Sequence, residues 1–436
     1  MTDPTEGRLV VVGAGIAGVS AAAGARTAGF TGEIILLGAE DELPYRRPPV
    51  SKEIVRGDKG GDDIRIKKAE WYDAQQITLR TGTTVSAIDT AAHTVTLADG
   101  EELGYDSLVL ATGGRARPLS LAAHGGEDTA TRVRTLRDLA DADALAADLR
   151  PESHVLVVGA GLIGSEIAAN ARAAGAEVTV LEAADRPMPH VLPPVLGQWC
   201  VDLHLDHGTE LHTGVTITEI RDEPRPGGGA GPGSEQSPGG VTVRAEDGRT
   251  WSGTSVVLAI GQEPGVELAQ AAGLDVASAA DGGGIVVDEV GHTSAPDVWA
   301  AGDVARMPND VLGGLHRVEH WQNAQNHGTA VGKAVAGQAT GFHEVPWCWS
   351  DQYGLTLQVT GWPSAQHEVV VRGSLNARDF TAFFLAEGVL RGAVTVGRPR
   401  EVRTARSWIA EGARPDVAVL ADDEADLADA LVSVGG

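Results

Sequence analysis

Cysteine is nearly absent from this sequence: Cys200 and Cys348 are the only two in 436 residues, and they form no CxxC pair. That excludes a disulfide framework and a zinc site, and no metal centre is expected. Basic residues are also scarce, 34 Lys and Arg against 60 Asp and Glu, for a formal net charge of −26. Nonspecific nucleic-acid binding, which needs a basic footprint, is excluded on that balance. Part of the acidic excess lies in the tail "DVAVLADDEADLADALVSV", which reads as a solvated helical face. Aromatic residues make up only 4% of the chain, whereas glycines number 57. The longest apolar runs, such as "LVVVGAGIAGVSAAAGA", are broken by glycines at fixed positions, so they read as strand, turn and helix and not as a bilayer span. The polar opening "MTDPTEGR" lacks the basic-then-apolar order of a signal peptide, and a cytoplasmic location is expected.

The length predicts two or three domains. Within it one unit occurs twice: "LVVVGAGIAGVSAAAGARTAG" from Leu9 and "VLVVGAGLIGSEIAANARAAG" from Val155. Each copy has a β-branched strand, a GxGxxG turn and a helix of small residues, and each is followed by a second apolar strand, at 33–40 and 177–183. The first glycine of such a turn tightens it, the second admits a pyrophosphate to the backbone, and the third lets helix and strand pack closely. The helix N-terminus then offers free N–H groups to the phosphates. These positions are Gly13, Gly15 and Gly18 (with Ala14 between the first two) and Gly159, Gly161 and Gly164. An acid follows the second strand in both copies, Glu40 (or Asp41) and Glu182, where it would accept from a ribose diol and repel a 2′-phosphate. Two dinucleotides are therefore expected. Two further buried strands run into glycine turns, at Ala111, Thr112 and Gly113 and at Gly261. A third delivers Gly302 and Asp303, whose carboxylate is either an acceptor for a ribityl hydroxyl or an ordinary helix N-cap.

With its GxGxxG, "ATGG" and "GD" boxes in this order, the chain resembles the FAD-dependent pyridine-nucleotide reductases. Three more stretches, "PYRRPPVSKEIVRG", "RVEHWQNAQNHG" and "VPWCWSDQYGLTLQVTG", are similar to the ferredoxin reductases of bacterial oxygenase systems, over about residues 8–375. The resemblance implies an α/β fold with two Rossmann-like dinucleotide-binding domains, glutathione-reductase-like, and a C-terminal α+β domain. An FAD domain would be split between 1–118 and 263–336, with an NAD domain at 119–262 and the C-terminal domain at 337–436. The second GxGxxG does lie between "ATGG" and "AGD", as that insertion requires. Residues 221–240, rich in Gly, Pro and Ser, read as a long flexible hairpin loop.

A flavin beside a nicotinamide implies hydride transfer from C4 of the nicotinamide to N5 of the isoalloxazine. The resemblance puts Lys52 beside the flavin, where a cation favours the reduced ring, and Glu166 near the nicotinamide carboxamide within reach of Lys52. It further implies FAD contacts from Pro48, Val85, Arg134, Glu319, His320 and Trp321, and NAD contacts from Leu162 and Ile163. Trp347 is expected in the core of the C-terminal domain, and Trp349 either there or near the flavin. Glu182 argues for NADH over NADPH, and Arg186, four residues on, either stacks on adenine or meets a 2′-phosphate. Several relatives carry an acid where this chain has Ala39, so Glu40 takes the flavin-side ribose role here.

The implied function is an NADH-dependent reductase that passes electrons singly to an iron–sulfur ferredoxin, serving a cytochrome P450 or a ring-hydroxylating dioxygenase, with no membrane or nucleic-acid partner. Arg46, Arg47, Arg65, Lys67 and Lys68, with Arg306 and Arg317, are candidates for a local basic docking patch. An NADH oxidase, peroxidase or disulfide reductase would need a redox cysteine near the flavin. An NADH-responsive flavoprotein resembling the apoptosis-inducing-factor branch is the other alternative. In the turn at 46–57, Pro48 and Pro49 are expected to brace the chain and Ser51 to cap a helix that starts at Lys52.

Overall fold

The computed structural model describes residues 5–119, 132–189, 191–223 and 240–431. Contacts divide the chain into two compact units, Met1–Arg47 with Gly61–Arg115 and Glu263–Cys348, and Pro48–Gly60 with Ala116–Gln262 and Trp349–Gly436. In the first unit the repeat forms β1 (Arg8–Val12), α1 (Ile16–Thr27) and β2 (Glu33–Leu37), and the chain returns through β3 (Ser107–Leu110). In the second unit its copy forms β4 (His154–Val158), α2 (Leu162–Ala173), β5 (Glu177–Leu181) and β6 (Ser255–Leu258). The first unit is completed by β7 (Val298–Ala300) and α3 (Trp321–Val335).

Each unit holds a five-stranded parallel sheet. The first runs β7-β3-β1-β2 and then Ile77–Arg80; the second runs Glu210–His212, then β5-β4-β6, then Val133–Arg134. The registers of the two copies match: Val12 pairs with Leu37 and Leu110, and Val158 with Leu181 and Leu258. Strands such as "LVVV" and "VLVV" are apolar at every position because a parallel sheet is covered on both faces. The matched register aligns the carboxyl ends of the strands along one edge, the place where open α/β sheets take ligands. In the first unit α1 and α3 approach closely: a Cβ on Gly332 would lie 2.0 Å from the Ala21 carbonyl oxygen.

Another sheet in the second unit is formed by Ile217–Glu223, Gly240–Ala245 and Thr250–Gly253, in antiparallel pairs. Arg221 to Glu223 and Gly240 belong to these strands and not to the expected loop, because their ladder closes at Glu223 opposite Gly240. The rest of that loop, 224–239, lies outside the described residues.

The C-terminal sheet comprises β8 (Trp347–Gln352), β9 (Leu355–Gly361), β10 (Glu368–Ser374), β11 (Asp379–Ala386) and β12 (Val389–Val396), in the order β8-β9-β12-β11-β10. Phe380, Phe383 and Phe384 are fully buried, and α4 (Pro399–Glu411) packs Val402, Ala405, Trp408 and Ile409 inward. Along β8 burial alternates. Cys348, Ser350 and Gln352 are inside, while Trp347 and Trp349 share the half-exposed face. Trp347 is thus not the core residue expected, because the strand's two-residue period sets it opposite the buried face. The acids of the tail are exposed, as expected, but the tail is not one helix. It forms two short pieces, Val417–Ala421 and Leu427–Leu431, which bury Leu420 and Ala430. The buried Arg372 guanidinium donates to the carbonyls of Val419, Asp422, Asp423 and Ala425 and so anchors this segment. Among the described residues no helix is long and apolar enough to cross a membrane, and no cluster of His, Cys, Asp and Glu could hold a metal.

Candidate functional site

The two glycine turns carry the same constraints. Gly13 has φ +107° and donates to Leu37 O at 2.8 Å, and a Cβ there would fall 2.2 Å from Ala111 O. Gly159 has φ +101° and donates to Leu181 O at 2.8 Å, and its Cβ would fall 2.4 Å from Ala259 O. A Cβ on Gly18 or Gly164 would strike the carbonyl oxygen of Gly13 or Gly159, at 1.9 and 2.0 Å. Gly15 and Gly161 differ: a Cβ on either meets nothing within 4 Å. These middle glycines are also the N-caps of α1 and α2, and no side chain caps either helix. Open space above an uncapped helix N-terminus is the shape and polarity a pyrophosphate fits.

Past β5, the Glu182 carboxylate accepts from Ala160 N–H at 2.6 Å and Ala184 N–H at 2.8 Å, which fixes it at the edge of the second turn. Its register partner in the first copy is Gly38, since Gly13 and Gly159 bond to matching residues. Glu40 lies two residues further on, and its carboxylate is engaged by the Tyr45 hydroxyl and the Arg47 guanidinium, each at 2.5 Å. Arg186 donates to Asp185, and Ile163 stands 44% exposed beside Gly161, an apolar surface at the start of α2. Gly261 has φ +96° with open space around it.

In the first unit, Thr112 donates its hydroxyl to Gly265 O at 2.6 Å, and Gly113 O accepts from Gly265 N at 2.9 Å. Gly302, with φ +78°, opens the short turn that carries Asp303, and its N–H donates to His327 Nδ1 at 3.2 Å. Burial pushes His327 down to about 4, so its neutral ring can accept. His320, also held below its ordinary value by burial, caps α3 ahead of Trp321. The Trp321 indole N–H is buried with no protein partner among the described residues, which fits a site meant for a polar ring. Glu319 pairs with Arg317. Val85 packs its side chain into the core and has only main chain to offer a ligand. In the second unit Arg134 donates to Asp148 at 3.0 Å.

The second unit also holds a buried polar constellation. Pro48–Ser51 forms one turn of 3₁₀ helix, and Lys52 Nζ meets Glu166 Oε2 at 2.7 Å. Pro48 O accepts from the same ammonium at 3.3 Å. Ser51 is not the expected N-cap: its hydroxyl donates to Glu166 Oε2 at 2.5 Å, and no α-helix follows. Glu166 Oε1 accepts from Ser350 Oγ at 2.9 Å and Asp351 N–H at 3.3 Å, and Asn170 donates to Ser51 O at 2.6 Å. Lys52 and Glu166 were paired in the sequence reading; Ser350, Asn170 and His327 were missed. Asn170, one helical turn beyond Glu166 on the same face, would have been found by periodicity. Ser350 sits on the buried face of β8, and nothing in "WCWSDQ" marks which face that is.

The basic residues considered for docking are largely engaged in their own unit. Arg47 goes to Glu40, Arg65 to Asp62, Arg317 to Glu319, Arg46 to Asp63 O and Arg306 to Asp281 O. Lys67 lies over the Trp71 ring, and Lys67 and Lys68 are both exposed. Both cysteines are buried, and burial pushes the Cys200 thiol up to about 12.

Two matched strand–turn–helix units, each on its own parallel sheet, have the form of dinucleotide-binding turns. Residues 7–328 match the family model of pyridine nucleotide-disulphide oxidoreductases, and 347–431 match that of the reductase C-terminal region. The chain is 37% identical over 426 residues to the ferredoxin–NAD(+) reductase component of the p-cumate 2,3-dioxygenase system of Pseudomonas putida, covering 98% of each. It is 34% identical to putidaredoxin reductase of Pseudomonas putida, over 98% of this chain and 97% of that one. Putidaredoxin reductase in its covalent complex with putidaredoxin superimposes with a TM-score of 0.88 at 34% identity, over 97% of both chains. The ferredoxin reductase for the CYP199A2 system of Rhodopseudomonas palustris gives 0.87 at 34% identity, over 98% of this chain and 100% of that one. The chain belongs to the pyridine nucleotide-disulphide oxidoreductase family, in its ferredoxin reductase branch, and is an FAD-dependent oxidoreductase.

Proposed function

We propose that this protein is an NADH-dependent ferredoxin reductase whose iron–sulfur partner serves a cytochrome P450 or a ring-hydroxylating dioxygenase. The chemistry supplied by the bound cofactors is hydride transfer from nicotinamide C4 to flavin N5, followed by single-electron delivery to the ferredoxin. The observation that carries the reading is the buried Lys52–Glu166 pair beside the second glycine turn, in a chain whose only thiols are buried. A redox-active cysteine has to present a thiolate to its disulfide, and a buried thiol raised to about 12 does not. Electrons therefore leave without a thiol relay, which separates this chain from disulfide reductases.

In this reading residues 1–118 with 263–336 carry FAD, 119–262 carry NADH, and 337–436 complete the enzyme. Gly13, Gly15, Gly18 and Asp303 serve the flavin nucleotide, with Arg134, Glu40 and the main chain at 319–321 as further contacts. Gly159, Gly161, Gly164 and Glu182 serve NADH, with Leu162, Ile163 and Arg186 beside them. Lys52 supplies positive charge that favours reduced flavin, and Glu166 orients it. The reaction belongs in the cytoplasm, where NADH is generated.

The test is anaerobic stopped-flow reduction of the purified flavoprotein by NADH, followed at 450 nm, then mixing with oxygen or with two-iron ferredoxins. Fast reoxidation by a ferredoxin and slow reoxidation by oxygen is the expected result. Rapid reoxidation by oxygen that no ferredoxin accelerates would overturn it.

A further inference from the structure

A carboxylate has two oxygens and about four lone-pair directions. In Glu166 all four are used, and they are divided evenly. Oε2 takes Lys52 Nζ at 2.7 Å and Ser51 Oγ at 2.5 Å, while Oε1 takes Ser350 Oγ at 2.9 Å and the Asp351 N–H at 3.3 Å. Lys52 thus meets a carboxylate one of whose oxygens is committed elsewhere. The commitment is firm because Ser350 is fully buried and Gln352 Nε2, itself buried, donates to its oxygen at 3.0 Å. With a lone pair used in that way, the Ser350 proton is directed at Glu166. Asn170 fixes Ser51 from the other side through its carbonyl. Serine hydroxyls that only filled space would not need a chain of buried donors to aim them.

We infer that Ser350 and Ser51 are positioning residues for the reductase reaction: Ser350 keeps one oxygen of Glu166 away from Lys52, Ser51 shares the oxygen that Lys52 meets, and together they set how much of the lysine's charge remains to act on the cofactors. The inference rests on the reading that Lys52 supplies that charge. Ser350 belongs to β8 of the C-terminal sheet, which gives that region a part in tuning the electron transfer as well as in stability. Without the Ser350 hydroxyl, Glu166 Oε1 keeps only the long Asp351 N–H contact at 3.3 Å, so it can turn toward Lys52 and offset more of its charge. Flavin reduction then becomes harder, while the binding surface for the nicotinamide nucleotide is left in place.

The experiment uses the purified holoprotein with Ser350→Ala, Ser51→Ala, Ser350→Thr and Lys52→Met. Flavin midpoint potential is read by dye-equilibrated titration, flavin reduction by anaerobic stopped flow, and NAD+ affinity by fluorescence. Ser350→Ala is expected to lower the midpoint potential and slow reduction roughly tenfold, the scale of one hydrogen bond to a charged group, with NAD+ affinity unchanged. Ser51→Ala moves both quantities in the same direction, and Ser350→Thr, which restores a hydroxyl, returns them toward wild type. If Ser350→Ala does not fold, the comparison of Ser51→Ala with wild type decides. Wild-type potential and reduction in the alanine variants, with Lys52→Met altering both, overturns the positioning role. An unchanged Lys52→Met variant overturns the underlying reading instead.

Discussion

Lys52 Nζ and Glu166 Oε2 meet at 2.7 Å with both residues less than a tenth exposed, yet the two depend on each other unequally. Without Lys52, Glu166 keeps Ser51, Ser350 and the Asp351 N–H as donors. Without Glu166, Lys52 keeps only long contacts, to Pro48 O at 3.3 Å and Ser51 Oγ at 3.4 Å. Removing one member of a buried pair costs about 3–5 kcal/mol when the other is stranded. Glu166→Met is expected to fall in that range, and Lys52→Met to cost about 1–2 kcal/mol. Urea denaturation of the two variants gives the order directly, and the reverse order would refute the asymmetry.

The glycine turns predict a split between stability and binding. Gly161→Ala meets no protein atom within 4 Å, so the variant should unfold at the wild-type denaturant concentration while NAD+ binding drops. Gly164→Ala puts a Cβ 2.0 Å from Gly159 O, and here stability itself should fall by about 2 kcal/mol or more. Denaturation midpoints and NAD+ titrations on the same two samples separate the effects. Equal loss of stability in both would mean the middle glycine serves the fold and not the ligand.

Much of this arrangement was legible from residue spacing. Both strand–turn–helix copies lie where the GxGxxG runs put them, because close approach of backbone restricts the first and third positions of each run to glycine. The Lys52–Glu166 pair was legible for a different reason, through resemblance, since no periodicity links residues 114 apart in the chain. What stayed hidden depends on which faces tertiary packing covers. Ser51 looked like a helix cap, but the buried carboxylate of Glu166 outcompeted local capping for its hydroxyl. Trp347 looked like core by composition, and the strand's alternation turned it outward with Trp349. The tail's acids are solvated as its composition implies, but its main-chain carbonyls are held by Arg372 from β10, which composition does not show.

Acid should weaken each unit chiefly through its most strongly affected buried histidine, with His320 adding in the first unit and His367 in the second. His327 and His204 are fully buried, and desolvation pushes both from 6.5 to about 4, with the charge of neighbouring His207 adding to the effect on His204. Between those values the unfolded chain binds a proton that the folded one refuses, so stability is complete above pH 6.5 and is lost as pH falls toward 4. From pH 7 to pH 5 the loss is about 2 kcal/mol per histidine. Urea midpoints at the two pH values measure it, and His327→Gln should flatten the dependence of the first unit's transition. A wild-type profile that is already flat would rule out neutral burial of these rings.

In the proposed reading, the choice of NADH over NADPH rests on Glu182. Its carboxylate is pinned by the N–H groups of Ala160 and Ala184, so it cannot swing aside to admit a 2′-phosphate. Glu182→Gln keeps an acceptor oxygen for one of those bonds and removes the charge. Arg186, four residues on, donates through Nη1 to Asp185, and its side chain is a quarter exposed. The exposed end of its guanidinium can turn to a phosphate once the carboxylate is neutral. The ratio of kcat/KM for NADH over NADPH should fall by roughly tenfold or more in Glu182→Gln, about 1.4 kcal/mol of discrimination. Adding Arg186→Ala should cancel the gain in NADPH use without restoring the preference for NADH. Steady-state rates with both coenzymes on the three proteins provide the check. An unchanged ratio in Glu182→Gln would show that the discrimination, if any, lies outside this strand end.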